Sequence, residues 1–161
     1  MRRLCALLIA VVALAASPAL GAEAAEAPTR AEYVAQLERI CKPRSEATQR
    51  AVRGMRADVR AERLRVAAGK FARAQRIFAG TVAAISRVPR PAEDKDTLAR
   101  WFEALALEEV YLGRIVASLR AENVASFQRV SADFIHQGNR ANNIVVSFGF
   151  NYCSFKPSRF Q

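Results

Sequence analysis

Along most of the chain the apolar residues recur every three or four positions, the spacing of an α-helix with one buried face. Thr29-Arg30-Ala31-Glu32 carries the capping-box pattern that opens a helix. From there Tyr33, Val34, Leu37, Ile40, Cys41, Thr48, Ala51, Val52, Met55 and Val59 fall in one sector about 120° wide. The phase survives Pro43, which points to the other side, so one helix is predicted rather than two, with Pro43 as the place for any kink. Between Val59 and Leu64 the phase slips by roughly a third of a turn, which predicts a tight connection near Asp58 to Glu62, although neither Pro nor Gly stands there. A second helix collects Leu64, Phe71, Ala74, Phe78, Val82 and Ile85 on one side, and Val88-Pro89-Arg90-Pro91 stops it. A third runs from about Glu93, with Leu98, Trp101, Phe102, Leu105, Leu112, Ile115, Val116 and Leu119 on one side; a fourth follows Asn123, with Val124, Phe127, Val130, Phe134, Ile135, Ala141 and Val145. The one competing strand signal is Ile144 to Phe150.

Four amphipathic segments of similar length with short connections predict an all-α fold, an antiparallel four-helix bundle over residues 31–161. In that topology the end of the fourth helix returns beside the start of the first. The tail "FGFNYCSFKPSRF" then has a structural use, with Phe148, Phe150, Tyr152 and Phe155 capping the open end of the core. Phe160 has no such place.

Cysteine usage changes once the N-terminus is considered. Arg2 and Arg3 precede an apolar run from Leu4 to Ala16, and small residues suited to cleavage follow Ser17-Pro18. Residues 1–22 are therefore expected to be a secretory signal peptide, and residues 23–30 a flexible Ala/Glu/Pro linker. The run is shorter than the ~20 apolar residues of a spanning helix, so no transmembrane anchor is expected after cleavage and the product is secreted or held in the periplasm or envelope. Cys5 leaves with the signal. Cys41 and Cys153 remain in an oxidising compartment and can pair in one way, closing a loop of over a hundred residues worth ~4–5 kcal/mol in a chain-entropy account. Two free thiols, or a bridge between chains, are the alternatives.

Several segments together resemble a group of small exported helical proteins from high-GC bacteria. They are "EYVAQLERIC" in the first helix, "VPRP" at the central turn, "LARWF" after it and "FGFNYC" near the end. That group recurs with a first-helix cysteine and a G-x-x-x-C-like terminus. The resemblance implies the helical fold and the disulfide, and no activity.

Candidate chemistry is sparse. His136 is the single histidine, and Asp133-Phe-Ile-His136 copies the carboxylate-x-x-His spacing of di-iron bundles only once, where two copies are needed. The sequence has no C-x-x-C-H haem motif and no Gly-rich phosphate loop. Two cysteines committed to each other cannot build a zinc site. No catalytic residue, metal ligand or cofactor site is assigned, and an enzyme is not expected. Polar residues inside apolar sectors are more telling: Arg44 in the first helix, Glu108 and Glu109 beside the third helix's sector, Ser131 and Asn142 in the fourth. Counting from the helix starts puts Arg44 level with the Glu pair, so a structural ion pair is the first expectation; a polar pocket for a small ligand is the other.

Charge supplies the last lead. Without Arg2 and Arg3, 23 basic residues face 15 acidic ones, a net +8. A GC-rich genome alone would favour Arg and Ala. Even so, Arg53, Arg56, Arg60 and Arg63 follow i, i+3, i+7, i+10 spacing beside the apolar sector. An anionic lipid surface, a cell-wall polyanion or an acidic protein would suit such a stripe; nucleic acid would not, since no aromatic residues interleave with it. The sequence thus favours a non-catalytic interaction protein acting through this stripe, with a small-ligand carrier built on a pocket inside the bundle as the alternative.

Overall fold

A computed structural model describes residues 27–154 and 156. The expected signal peptide over residues 1–22, the first half of the linker (23–26), Phe155 and Phe160 lie outside the described residues.

Helix α1 (Arg30–Val52) starts where the capping box puts it. The Thr29 hydroxyl accepts the Glu32 amide, and the Glu32 carboxylate accepts the Thr29 amide at 2.9 Å, so two orphan donors of the first turn are satisfied. Pro43 stays inside a single helix, as the unbroken phase requires. The end of α1 differs from expectation. The apolar pattern runs on to Val59, yet α1 stops at Val52, Gly54 turns left-handed at φ +70°, and a separate short helix α2 (Met55–Arg60) follows. Glycine has no Cβ to oppose that conformation. Because α2 resumes nearly the same apolar phase, periodicity cannot see the break.

The slip after Val59 is real as well. Glu62 takes φ +55°, the Arg63 amide donates back to the Asp58 carbonyl at 2.8 Å, and α3 (Leu64–Ile85) begins. A 3₁₀ turn over Ala92–Asp94 leads into α4 (Lys95–Arg120). Asn123 caps α5 (Val124–Ile144), its side chain accepting the Ser126 amide at 2.9 Å. Where a strand competed, Val146–Phe148 forms a 3₁₀ turn, and the described residues contain no strand.

The four long helices pack in chain order, α1 on α3, α3 on α4 and α4 on α5, with α2 laid against α3. The pair that would complete the ring, α1 and α5, is not packed along its length. The all-α bundle therefore has one open seam.

The tail covers part of it. Beyond Gly149, left-handed at φ +64°, the chain doubles back, and Cys153 is disulfide-bonded to Cys41 with Cα atoms 5.2 Å apart. The Glu38 carboxylate of α1 accepts the backbone N–H groups of Asn151, Tyr152 and Cys153 at 2.9–3.2 Å. Beneath this strap Phe150 stacks on Trp101 at 5.3 Å, and Tyr33 meets Phe148 edge-on at 6.4 Å. Phe148 and Phe150 are buried, as a cap on the core requires, while Tyr152 is half-buried at the strap's edge. Cys41 lies midway along α1, so the disulfide crosses the seam at about half its height.

Candidate functional site

Above the disulfide no described residue closes the seam, and a cavity of about 500 Å³ enters the bundle there. It falls between two core clusters. One surrounds Tyr33, Leu37, Leu98 and Trp101; the other surrounds Leu64, Ala67, Ala68, Ile115 and Leu119. The reason is partly local. Between Phe71 and Phe78, α3 presents the small side chain of Ala74 to the cavity, and the space before it is filled only in part by the half-buried rings of Phe71, Phe78, Phe127 and Phe134. Tyr152, Cys153 and Ser154 of the strap form the lower wall.

Two polar groups sit inside this apolar space. Glu108 of α4 is 2% exposed, and its Oε1 has no hydrogen-bond partner among the described residues. Burial pushes its carboxyl up to about 8, so near neutral pH it carries its proton. Ser131 of α5, in the cavity wall, also has a buried Oγ without a partner among the described residues. Along antiparallel helices these two fall at one level with Arg44 of α1.

The expected ion pair does not form. Arg44 is half-buried and lines the cavity, yet no carboxylate of the described residues lies within 4.0 Å of it. Its Nη1 instead rests against α3 at Gly80, where an added Cβ would come within 3.3 Å. The physical cause is desolvation: one guanidinium at the mouth returns less than ionising a carboxyl this deep would require, and a long Arg stem reaches water easily. Glu109 is half-buried and outside the cavity wall, so the polar layer is Arg44 and Glu108 without it.

The Arg stripe is also rearranged. Arg53 caps the end of α1, Arg56 and Arg60 ride on α2, and Arg63 precedes α3, so no single helix carries the four. Arg63 is held by Asp58 at 2.7 Å, and Lys70 takes the other oxygen of Asp58 at 2.5 Å while donating to the Arg53 carbonyl at 2.8 Å. The Lys70 and Arg63 hydrogen bonds hold the Asp58 carboxyl below its ordinary range. Sequence reasoning passed over Asp58 because it stands among exposed arginines; its signal was Lys70 and Arg63 on the chain that folds back beside it. Arg56 and Arg60, in contrast, line the cavity. Asp133 and His136 are exposed on α5 and take no part in it.

An accessible apolar cavity with a neutral carboxyl and a hydroxyl at one level can hold a molecule that is mostly hydrocarbon with an oxygen function. Protonated Glu108 donates; the Ser131 hydroxyl donates or accepts. No helix among the described residues is long and apolar enough to cross a membrane. No family model, curated protein or solved structure matches the chain.

Proposed function

We propose that the protein is a non-catalytic carrier, working in the envelope or outside the cell, that holds a small and largely apolar molecule in the open half of the α1/α5 seam. The observation that carries this reading is Glu108: a carboxyl 2% exposed, without a partner among the described residues, facing a cavity of about 500 Å³. An unpaired buried polar group is costly, and proteins keep one where something else satisfies it. The volume lies within the ~300–1,000 Å³ of small-molecule sites, and the apolar wall with few polar groups is their usual make-up. The disulfide and the signal-like N-terminus support export. The rearranged stripe weakens the surface-binding alternative, since Arg63 is occupied and Arg56 and Arg60 belong to the cavity.

The test is titration of the purified protein with N-phenyl-1-naphthylamine, an uncharged probe that fluoresces in apolar surroundings. Saturable one-site binding, nearly insensitive to salt, is expected, because a neutral probe in a buried site feels little ionic screening. Filling the cavity with Ser131→Phe or Ala74→Phe should abolish it while helical circular dichroism is retained. No fluorescence gain with the unmodified protein, together with salt-sensitive binding to anionic vesicles, would return the stripe to first place.

A further inference from the structure

The mouth and the floor of the cavity differ in charge. Arg44, Arg56, Arg60 and Lys156 line it, and among the described residues the only acidic side chain in its wall is Glu108, at the bottom. Elsewhere the chain pairs cations where folding brings them against carboxylates: Arg30 with Asp94, Arg63 and Lys70 with Asp58, Arg65 with Glu122. Arg44, Arg56 and Arg60 have no carboxylate of the described residues within 4.0 Å, although Arg44 is half-buried. A guanidinium partly removed from water gains most from an anion that arrives with its own geometry, and an Arg fork matches carboxylate and phosphate oxygens. Low-dielectric walls around one sign of charge also concentrate the field at the mouth.

We infer that the cargo is a single-chain amphiphilic anion, its carboxylate or phosphate head at the level shared by Arg44, Glu108 and Ser131 and its hydrocarbon chain along the apolar remainder of the cavity. One head oxygen accepts from protonated Glu108, and the others face the Arg44, Arg56 and Arg60 rim. This rests on the carrier reading and adds the chemical class. A cationic amphiphile would meet repulsion at the entrance, and a neutral one would leave the rim unsatisfied. A cavity of about 500 Å³ has room for one long hydrocarbon chain rather than two. The α2 helix thereby acquires a purpose: the left-handed turn at Gly54 redirects the chain so that Arg56 and Arg60 reach the mouth rather than continuing the line of α1.

The experiment is displacement of bound N-phenyl-1-naphthylamine by hexadecanoate, by palmitoyl lysophosphatidate and by hexadecanol, each below its micelle concentration. At least one of the two anions should compete about tenfold or more better than the alcohol, the scale of a charge-assisted hydrogen bond to the head. The better anion identifies a carboxylate or a phosphate head. The advantage should shrink with added salt and vanish in Arg44→Gln/Arg56→Gln/Arg60→Gln, which retains probe affinity, while Arg39→Gln behaves as the unmodified protein. A bound probe displaced equally by all three competitors overturns the inference and leaves the carrier standing. An anion preference that survives the triple substitution also overturns it. Failure of the probe to bind at all overturns the carrier reading itself.

Discussion

The two halves of the α1/α5 seam are built from one helix pair and end in opposite states. Below the disulfide, Tyr33, Trp101, Phe148 and Phe150 fill the space and the strap lies across it. Above it, the small Ala74 on α3 and half-buried phenylalanines leave a cavity. Each half contains an orphaned polar atom. The Tyr33 hydroxyl is buried at 0% exposure without a partner among the described residues, and burial pushes it up to about 12. It lies outside the cavity wall, so nothing can reach it, and its isolation is only a penalty. Glu108 is as orphaned and almost as buried, but a visiting molecule can reach it. Access, rather than burial, separates a site from a packing imperfection.

Three experiments break or sharpen that contrast. The largest effect belongs to the filled half. Trp101→Ala removes a ring 1% exposed and should lower stability by about 3–5 kcal/mol, whereas Phe127→Ala at the half-buried cavity wall should lower it by roughly half as much. Urea unfolding measures both, and equal losses would mean that the two halves are packed alike. Next comes the strap. Cys41→Ala/Cys153→Ala opens a loop spanning 112 residues of sequence and should reduce stability by about 2–5 kcal/mol. It should also weaken probe binding, because Tyr152, Cys153 and Ser154 form the lower wall. Probe affinity unchanged in that variant would separate the strap from the site.

Taken per pH unit the smallest effect is that of Glu108, and it has a sign. Folding raises this carboxyl from 4.5 to about 8, so between those values the folded chain holds a proton that the unfolded chain has released. Stability is therefore undiminished below about pH 4.5, falls by up to about 1.4 kcal/mol per pH unit as pH climbs through this window, and levels off above about pH 8. Glu108→Gln keeps the shape without the titration. Thermal unfolding from pH 5 to 9 should show the substituted protein gaining steadily on the original. Parallel profiles would mean that Glu108 is hydrated in the folded state.

Much of the architecture was legible because helices announce themselves by period. Thr29 and Asn123 mark the caps, Val88-Pro89-Arg90-Pro91 marks the turn, and the return of the tail to α1 followed from antiparallel order plus two cysteines. The break at Gly54 escaped because α2 resumes nearly the phase of α1; the glycine itself was the available signal. Glu108 was legible as a polar residue at the edge of an apolar sector, and its level with Arg44 came from counting. Its lack of a partner was not legible. Periodicity assigns a side chain to a face but says nothing about how far apart two facing helices stand, nor which way a four-bond arginine stem swings. The cavity exists because α1 and α5 stand apart, a distance no residue spacing encodes.

Trp101, the single tryptophan of the chain, sits at the boundary between the two halves, stacked on Phe150 of the strap and facing the cavity above. Its indole is thus a built-in optical reporter. With the strap in place its emission should lie at the short wavelengths of a dry environment; loss of the strap should move it to the red. An occupant touching the same ring should alter its intensity without that displacement. One natural fluorophore would distinguish a loaded chain from an unstrapped one, with no label attached to the protein.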